Sequence, residues 1–226
     1  MARYQRLEVL NTINQIGLVP VFYHADAEVV IEVAKACAAG GLRLIEFTNR
    51  GDRAFQVFTQ LEEYCAAHLP EMVTGVGSIV DAATAGVYIN IGANFVVGPN
   101  LNPDVARLCN RRKVAYSPGC ATPTEIAQAE ELGVEVVKIF PGDIVGGPEF
   151  VSALRGPCPW TSIMPTGGVD ITEASLAAWF KAGITAAGIG SKLITRDLLE
   201  KKDYAGMTEQ IRKTLAMIAK LKGTGG

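Results

Sequence analysis

The stretch Val134-Glu-Val-Val-Lys-Ile-Phe-Pro141 decides how the rest of the chain is read. Its valines and Ile139 form a short apolar run, closed by Gly133 before and Pro141-Gly142 after, which is the pattern of a buried strand. Side chains alternate along a strand, so Val136, Lys138 and Phe140 share one face while Val137 and Ile139 share the other. An ammonium therefore falls on a face otherwise made of Val and Phe, where desolvation penalises its charge. A lysine is tolerated there when its stem reaches water, when it meets a carboxylate, or when the neutral amine is wanted as a nucleophile. Taken alone the strand favours the first of these, and the remaining residues have to decide.

Working outward, strand and helix patterns alternate on both sides. Residues 5–15 read as a helix stopped by Gly17. Strands are expected at Leu18–Tyr23, Leu42–Thr48, Met72–Val76, Asn94–Val97 and Val114–Ser117 before the lysine strand, and at Thr161–Met164 and Ile184–Ile189 after it. Helices are expected between them at Glu28–Ala39, Ala54–His68, Asp81–Asn90, Asn102–Arg111, Thr122–Leu132, Pro148–Leu154 and Thr172–Ala182, with a closing helix over 204–221 and a frayed tail at 223–226. Asp26 and Asn102 read as caps, Pro103 as a first helical residue, and Thr122-Pro-Thr-Glu125 as a capping box. Eight such units with no linker between them predict an α/β fold, a TIM (β/α)8 barrel with an N-terminal helix, forming a single domain over residues 1–226. A doubly wound open sheet would call for G-x-G-x-x-G after an early strand, and only Gly75-Val-Gly77 is present. In a barrel, chemistry belongs at the C-terminal ends of the strands.

Composition narrows the partners. With 49% hydrophobic and 19% charged residues and a net charge of −2, the chain reads as soluble and globular, without the basic surface of a nucleic-acid binder. No apolar run approaches the ~20 residues of a membrane span, and Met1-Ala-Arg-Tyr-Gln-Arg6 does not resemble a secretory leader. The five cysteines, at 37, 65, 109, 120 and 158, form no C-x-x-C pair, and two histidines offer little to a metal, so no metal site is expected. Free thiols point to a reducing cytoplasm. None of the cysteines has a histidine nearby in sequence to activate it.

Polar residues recur at the expected strand ends. In Leu42-Arg-Leu-Ile-Glu-Phe-Thr-Asn-Arg50, alternation turns Ile45 and Phe47 toward the helices and Glu46, Thr48 and Arg50 toward the mouth. A buried structural ion pair of Glu46 with Lys138 or Arg50 is the competing reading, but desolvating several charges usually costs more than the pair returns. Met164-Pro-Thr-Gly-Gly-Val169 and Gly188-Ile-Gly-Ser191 follow the last two strands, where barrels often hold a phosphate on backbone N–H groups. Gly167, Gly168, Gly190 and Ser191 are thus the candidate phosphate contacts. Ser78 and Thr74 are either ligand donors or backbone partners. Gly98-Pro99-Asn100 and Pro118-Gly119 read first as turns, His24 as a partly exposed histidine, and Trp160 and Trp179 as packing residues.

Ile45-Glu-Phe-Thr-Asn-Arg50, Gly75-Val-Gly-Ser-Ile79, Pro118-Gly-Cys-Ala-Thr-Pro-Thr-Glu125, Val137-Lys-Ile-Phe-Pro141, Pro165-Thr-Gly-Gly168 and Gly190-Ser191 occur in that order. Together they resemble the 2-keto-3-deoxy-6-phosphogluconate (KDPG) / 4-hydroxy-2-oxoglutarate (KHG) aldolase family over about residues 8–220. The resemblance implies a (β/α)8 class I aldolase, a homotrimer acting on a small 2-keto acid without metal or cofactor. It implies Lys138 as the Schiff-base lysine, Glu46 as the general acid/base, Arg50 near the substrate carboxylate and Thr166 as a substrate contact. Thr48, Ser78, Pro99 and Phe140 complete the candidate substrate-binding set. The chain departs from the pattern at Ser78, where many members have Thr, at Gly98-Pro-Asn100, where Ser-Pro-Gly/His is more usual, and at Tyr23-His24, where some members carry Arg. A phosphosugar isomerase or epimerase on the same fold, or a non-catalytic phosphate-ligand barrel, would use the glycine loops without an iminium-forming lysine.

Overall fold

The computed structural model describes residues 2–223. In chain order the elements are α1 (Arg6–Ile16), β1 (Leu18–Phe22), α2 (Ala27–Ala39), β2 (Leu44–Thr48), α3 (Ala54–His68), β3 (Val73–Gly77), α4 (Ala82–Ile91), β4 (Phe95–Val97) and α5 (Pro103–Arg112). They continue with β5 (Ala115–Ser117), β6 (Gly119–Cys120), α6 (Pro123–Glu131), β7 (Val136–Ile139), α7 (Gly147–Arg155), β8 (Ser162–Pro165), α8 (Glu173–Lys181), β9 (Ala187–Ile189), α9 (Arg196–Glu200) and α10 (Tyr204–Gly223). The frayed tail expected at 223–226 falls on residues 224–226, outside the described range, while Gly223 ends α10.

The helix starts follow from local chemistry. Asp26 accepts the Glu28 amide at the head of α2, Asn102 accepts from Asp104 and Val105 ahead of Pro103, and Thr122 with Glu125 closes a reciprocal box around α6. Gly17 ends α1 with φ at 70°, a left-handed residue donating back to Ile13.

All strand pairings are parallel. Six strands run in the order β5-β4-β3-β2-β1-β9 and three in the order β6-β7-β8, so the result is a curled parallel sheet in two pieces, not the uninterrupted eight-stranded ladder expected from the sequence. The division has a local cause. The expected fifth strand, Val114–Ser117, stops before Pro118, which has no N–H to give to a ladder, and a further two-residue strand, not expected from the sequence, follows the proline. The residues before it pair with β4, and those after it pair with β7. Pro118-Gly119 is therefore a strand interruption and not the turn its composition suggested: Gly119 pairs with Lys138, and a Cβ there would run into the Pro99 carbonyl. A single bridge, Thr166 to Gly188, links β8 to β9.

The apolar faces divide as alternation requires. Ile45, Phe47, Val137 and Ile139 pack outward against helix residues such as Val33, Phe58, Leu61, Leu176 and Trp179. Val19, Leu44, Val73, Phe95, Val136, Met164 and Ala186 point inward and are capped from below by Val9 and Ile13 of α1. Polar anchors fix α1 on this floor: Arg3 pairs with Glu62 at 2.8 Å, and Arg6 with Glu135 at 2.7 Å. Trp160, expected to pack, is 70% exposed, because it lies in the loop between α7 and β8, beyond the helix layer.

Candidate active site

Lys138 and Glu46 stand on β7 and β2 and are 5% and 1% exposed, so both ionisable groups are inside the protein. Each sits one alternation above an inward apolar residue, Val136 and Leu44 respectively, which places them over the floor and toward the C-terminal end of the strands. Room for the carboxyl group is made by Gly77, where a Cβ would overlap Glu46 Oε1. The second glycine of the G-x-G is thus spent on the acid, while the first, Gly75, makes way for the Phe95 ring.

Both Glu46 oxygens are buried without a hydrogen-bond partner, so acid and amine do not form a hydrogen-bonded pair. Burial raises the Glu46 pKa above the usual carboxylate value, against the opposing pull of Lys138 and Arg50. Burial lowers that of Lys138, Glu46 opposes the change, and the Arg50 cation adds to it. Burial therefore pushes both groups toward their uncharged forms, while the charge of each opposes the shift of the other. The Lys138 Nζ lies 4.8 Å from the centre of the Phe140 ring, which leads it up to the wall of a cavity.

That cavity, of about 660 Å³, is lined by Arg50, Phe140, Thr166, Gly167, Gly168, Gly190 and Ser191, seven of the residues singled out in the sequence. Thr166 contributes a third buried atom without a partner, its Oγ1. Among the described residues, the buried side-chain atoms left unsatisfied are these three alone; Thr166 lines the cavity, whereas Glu46 and Lys138 are not part of its wall. Since most buried polar groups are paired, such exceptions ask for an explanation.

The remaining sequence candidates lie around this opening in other ways. Thr48 is buried with its hydroxyl donating to the Phe22 carbonyl at 3.3 Å. Ser78 adopts a left-handed backbone (φ 61°) and accepts from Arg50 Nε at 3.2 Å, so it holds the guanidinium. The Pro99 carbonyl backs Gly119, beside the strand that pairs with Lys138. His24 is used locally, its Nδ1 accepting the Asp26 amide at 3.1 Å. Four thiols, Cys37, Cys65, Cys109 and Cys120, are pushed up to about 12 by burial and do not supply thiolates.

Sequence reading passed over Asp170, Lys192 and Arg196, which also line the cavity, and noted Tyr23, another lining residue, only as a departure from the family pattern. Asp170 and Lys192 stand immediately after the two glycine motifs, a position that could have flagged them. Tyr23 is held by its neighbours: its ring packs 5.7 Å from Phe47, and its hydroxyl lies where a Cβ on Gly51 would be.

A buried lysine and acid at the mouth of a curled parallel sheet, below a glycine-lined cavity, are what an aldolase-type lyase needs. The family model for KDPG and KHG aldolase matches residues 9–210, and the chain belongs to that family. The 2-dehydro-3-deoxy-phosphogluconate aldolase of Haemophilus influenzae is 29% identical over 217 residues, covering 95% of this chain and 99% of its own. The KHG/KDPG aldolase of Escherichia coli (strain K12) is 27% identical over 198 residues, 88% of this chain and 90% of its own. The fold is shared with the KDPG aldolase from Legionella pneumophila, solved with pyruvate captured at low pH as a covalent carbinolamine intermediate. That structure has a TM-score of 0.83 at 20% identity and covers 94% of this chain and 98% of its own.

Proposed function

We propose that the protein is a class I aldolase that cleaves KDPG to pyruvate and glyceraldehyde 3-phosphate through a Schiff base on Lys138. The observation that carries this reading is a buried Lys138 amine beside the orphaned Glu46 carboxyl, both coupled to Arg50 and the amine lying against Phe140, two residues of the cavity wall. A structural ion pair would have joined the two charges directly. A binding site for phosphate alone would not need a buried amine.

The chemistry follows from the protonation states that burial favours. Free lysine is neutral in only about 1 in 2,500 molecules at pH 7, so a nucleophilic amine requires its pKa to be lowered. Neutral Lys138 adds to the C2 ketone, and Glu46 gives its proton to the departing hydroxyl, which leaves as water. Iminium and carboxylate then carry one charge each, and the net charge of the site has not changed. Glu46 takes the proton from the C4 hydroxyl, the C3–C4 bond breaks, and its electron pair flows into the iminium as the aldehyde departs. The same acid returns the proton to C3 of the enamine, and water releases pyruvate and the amine.

Around this pair, Arg50 serves the substrate carboxylate, with Ser78 holding its guanidinium. Thr48, Pro99, Phe140 and Thr166 shape the pocket, and Gly167, Gly168, Gly190 and Ser191 take the phosphate. The galactonate epimer of KDPG, and KHG, which would yield glyoxylate, are the competing substrates. The two pieces of sheet close into one (β/α)8 barrel and a single domain. This reading is supported by the Thr166–Gly188 bridge on one side and the Gly119 N–H to Gly98 carbonyl bond (3.0 Å), from β6 to the residue after β4, on the other. The protein acts in the cytoplasm, a compartment suited to its free thiols, as the homotrimer that the family resemblance implies; Phe55, Val80 and Ile144 are apolar surface open to such contacts.

Incubation with pyruvate and borohydride followed by mass spectrometry tests the reading. A reduced pyruvate adduct on Lys138 is expected. An isomerase or a phosphate-binding barrel would give none, and its absence would discard the aldolase.

A further inference from the structure

The glycine loops after β8 and β9 each end in a charged residue that faces the same cavity, Asp170 on one side and Lys192 on the other. The two side chains meet across the loops, Lys192 Nζ to Asp170 Oδ2 at 3.1 Å. Backbone N–H groups of Gly168, Ser191 and Lys192 find no acceptor among the described residues. The segment carrying Lys192 is held from outside: Gln210 of α10 donates to the Lys192 carbonyl at 3.3 Å and the Leu193 carbonyl at 2.8 Å. Of the three cations on the cavity wall, Arg50 is held by Ser78, and Arg196 turns to Glu200 at 2.6 Å with a side chain 90% exposed. Lys192 is the one that shares its backbone with the free amides, and an ammonium has three N–H groups, of which Asp170 engages one.

We infer that Lys192 is a specificity-determining residue: its charge selects substrates whose departing aldehyde carries a phosphate, and Asp170 sets the strength of that selection by competing for the ammonium. The inference rests on the aldolase reading. It adds to the backbone phosphate contacts a side-chain charge that a neutral hydroxyl-ended substrate cannot use. The competition has a sign. A phosphate dianion gains from the lysine and is repelled by the aspartate, so removing one charge and removing the other should act in opposite directions. A strap that merely held the two loops together would weaken binding whichever end was cut.

The test compares kcat/KM for KDPG with that for 2-keto-3-deoxygluconate, the same carbon chain without phosphate. In Lys192→Met the ratio of the two should fall roughly tenfold, within the range for hydrogen bonds to charged groups reduced by exposure. In Asp170→Asn, which keeps the Oδ1 acceptor for the Thr172 amide, the ratio should rise by roughly two- to fivefold. A ratio that stays fixed in Lys192→Met, or that falls in both variants, overturns the proposal. Borohydride trapping of pyruvate on the wild-type enzyme reports separately on the aldolase reading. Its failure would remove both ideas, whereas trapping with an unmoved ratio removes only this one.

Discussion

Toward the floor of the curled sheet, Val19, Leu44, Val73, Val136, Met164 and Ala186 pack above Val9 and Ile13 of α1; two residues beyond Leu44 and Val136 on β2 and β7 stand Glu46 and Lys138. On β7 the change from Val136 to Lys138 takes about 6.6 Å of chain at the usual strand rise. The lower layer is apolar and fully packed, and the upper holds three buried polar atoms without partners. Each unmade bond of that kind costs about 1–3 kcal/mol. The fold can carry the cost because the floor and the outer helix layer provide the burial, so stability and chemistry are stacked on the same strands and drawn from different residues.

That division can be broken most severely at Lys138. Lys138→Met should abolish turnover while the melting temperature holds or rises, since a buried amine gives way to an apolar chain of similar length; a calorimetric scan beside a pyruvate-release assay separates the two effects. Glu46→Gln should slow turnover by about 10²–10⁴ with little change in melting temperature, measured as single-turnover cleavage of KDPG. The floor should behave in the opposite way. Ile13→Ala should cost about 2–5 kcal/mol in denaturant unfolding, and the kcat of the folded enzyme should stay near wild type.

The boundary between the layers is Gly77. Gly77→Ala forces a methyl into the Glu46 carboxyl and should lose about 1–3 kcal/mol of stability together with activity, so it alone should register in both assays. The finest probe is pH. The lowered Lys138 pKa means that pyruvate adduct formation rises with pH through a midpoint below that of an ordinary lysine. Glu46 holds that pKa up and Arg50 holds it down, so Glu46→Gln should move the rising limb to lower pH and Arg50→Met to higher pH. Stopped-flow trapping across pH would show both displacements, and shifts of the same sign would sink the electrostatic account.

Much of this was legible in the chain as written. The period-two pattern of Leu44-Ile-Glu-Phe-Thr48 and Val136-Val-Lys-Ile139 was enough to turn Glu46 and Lys138 inward, and both are buried as that requires. Caps at Asp26, Asn102 and Thr122 located their helices because capping is a contact within a few residues. Five-residue α9, with no buried residue of its own, left no apolar period to read. Pro118-Gly119 was misread because a proline and glycine inside a strand look like a turn until the neighbouring strand is present to pair with Gly119 and Cys120.

Sequence by itself determined the order of elements, the inward faces, and which residues bear reactive groups, since each is set by the alternation of a strand or the chemistry of a few neighbours. Only the tertiary structure decided that Glu46 and Lys138 are both buried and electrostatically coupled without bonding to each other, that Gly77 makes room for the acid, and that Asp170 meets Lys192 across two loops. Those relations join residues far apart in the chain. They depend on how a twisted sheet curls, and no local pattern of side chains encodes the distance between strands that are not neighbours.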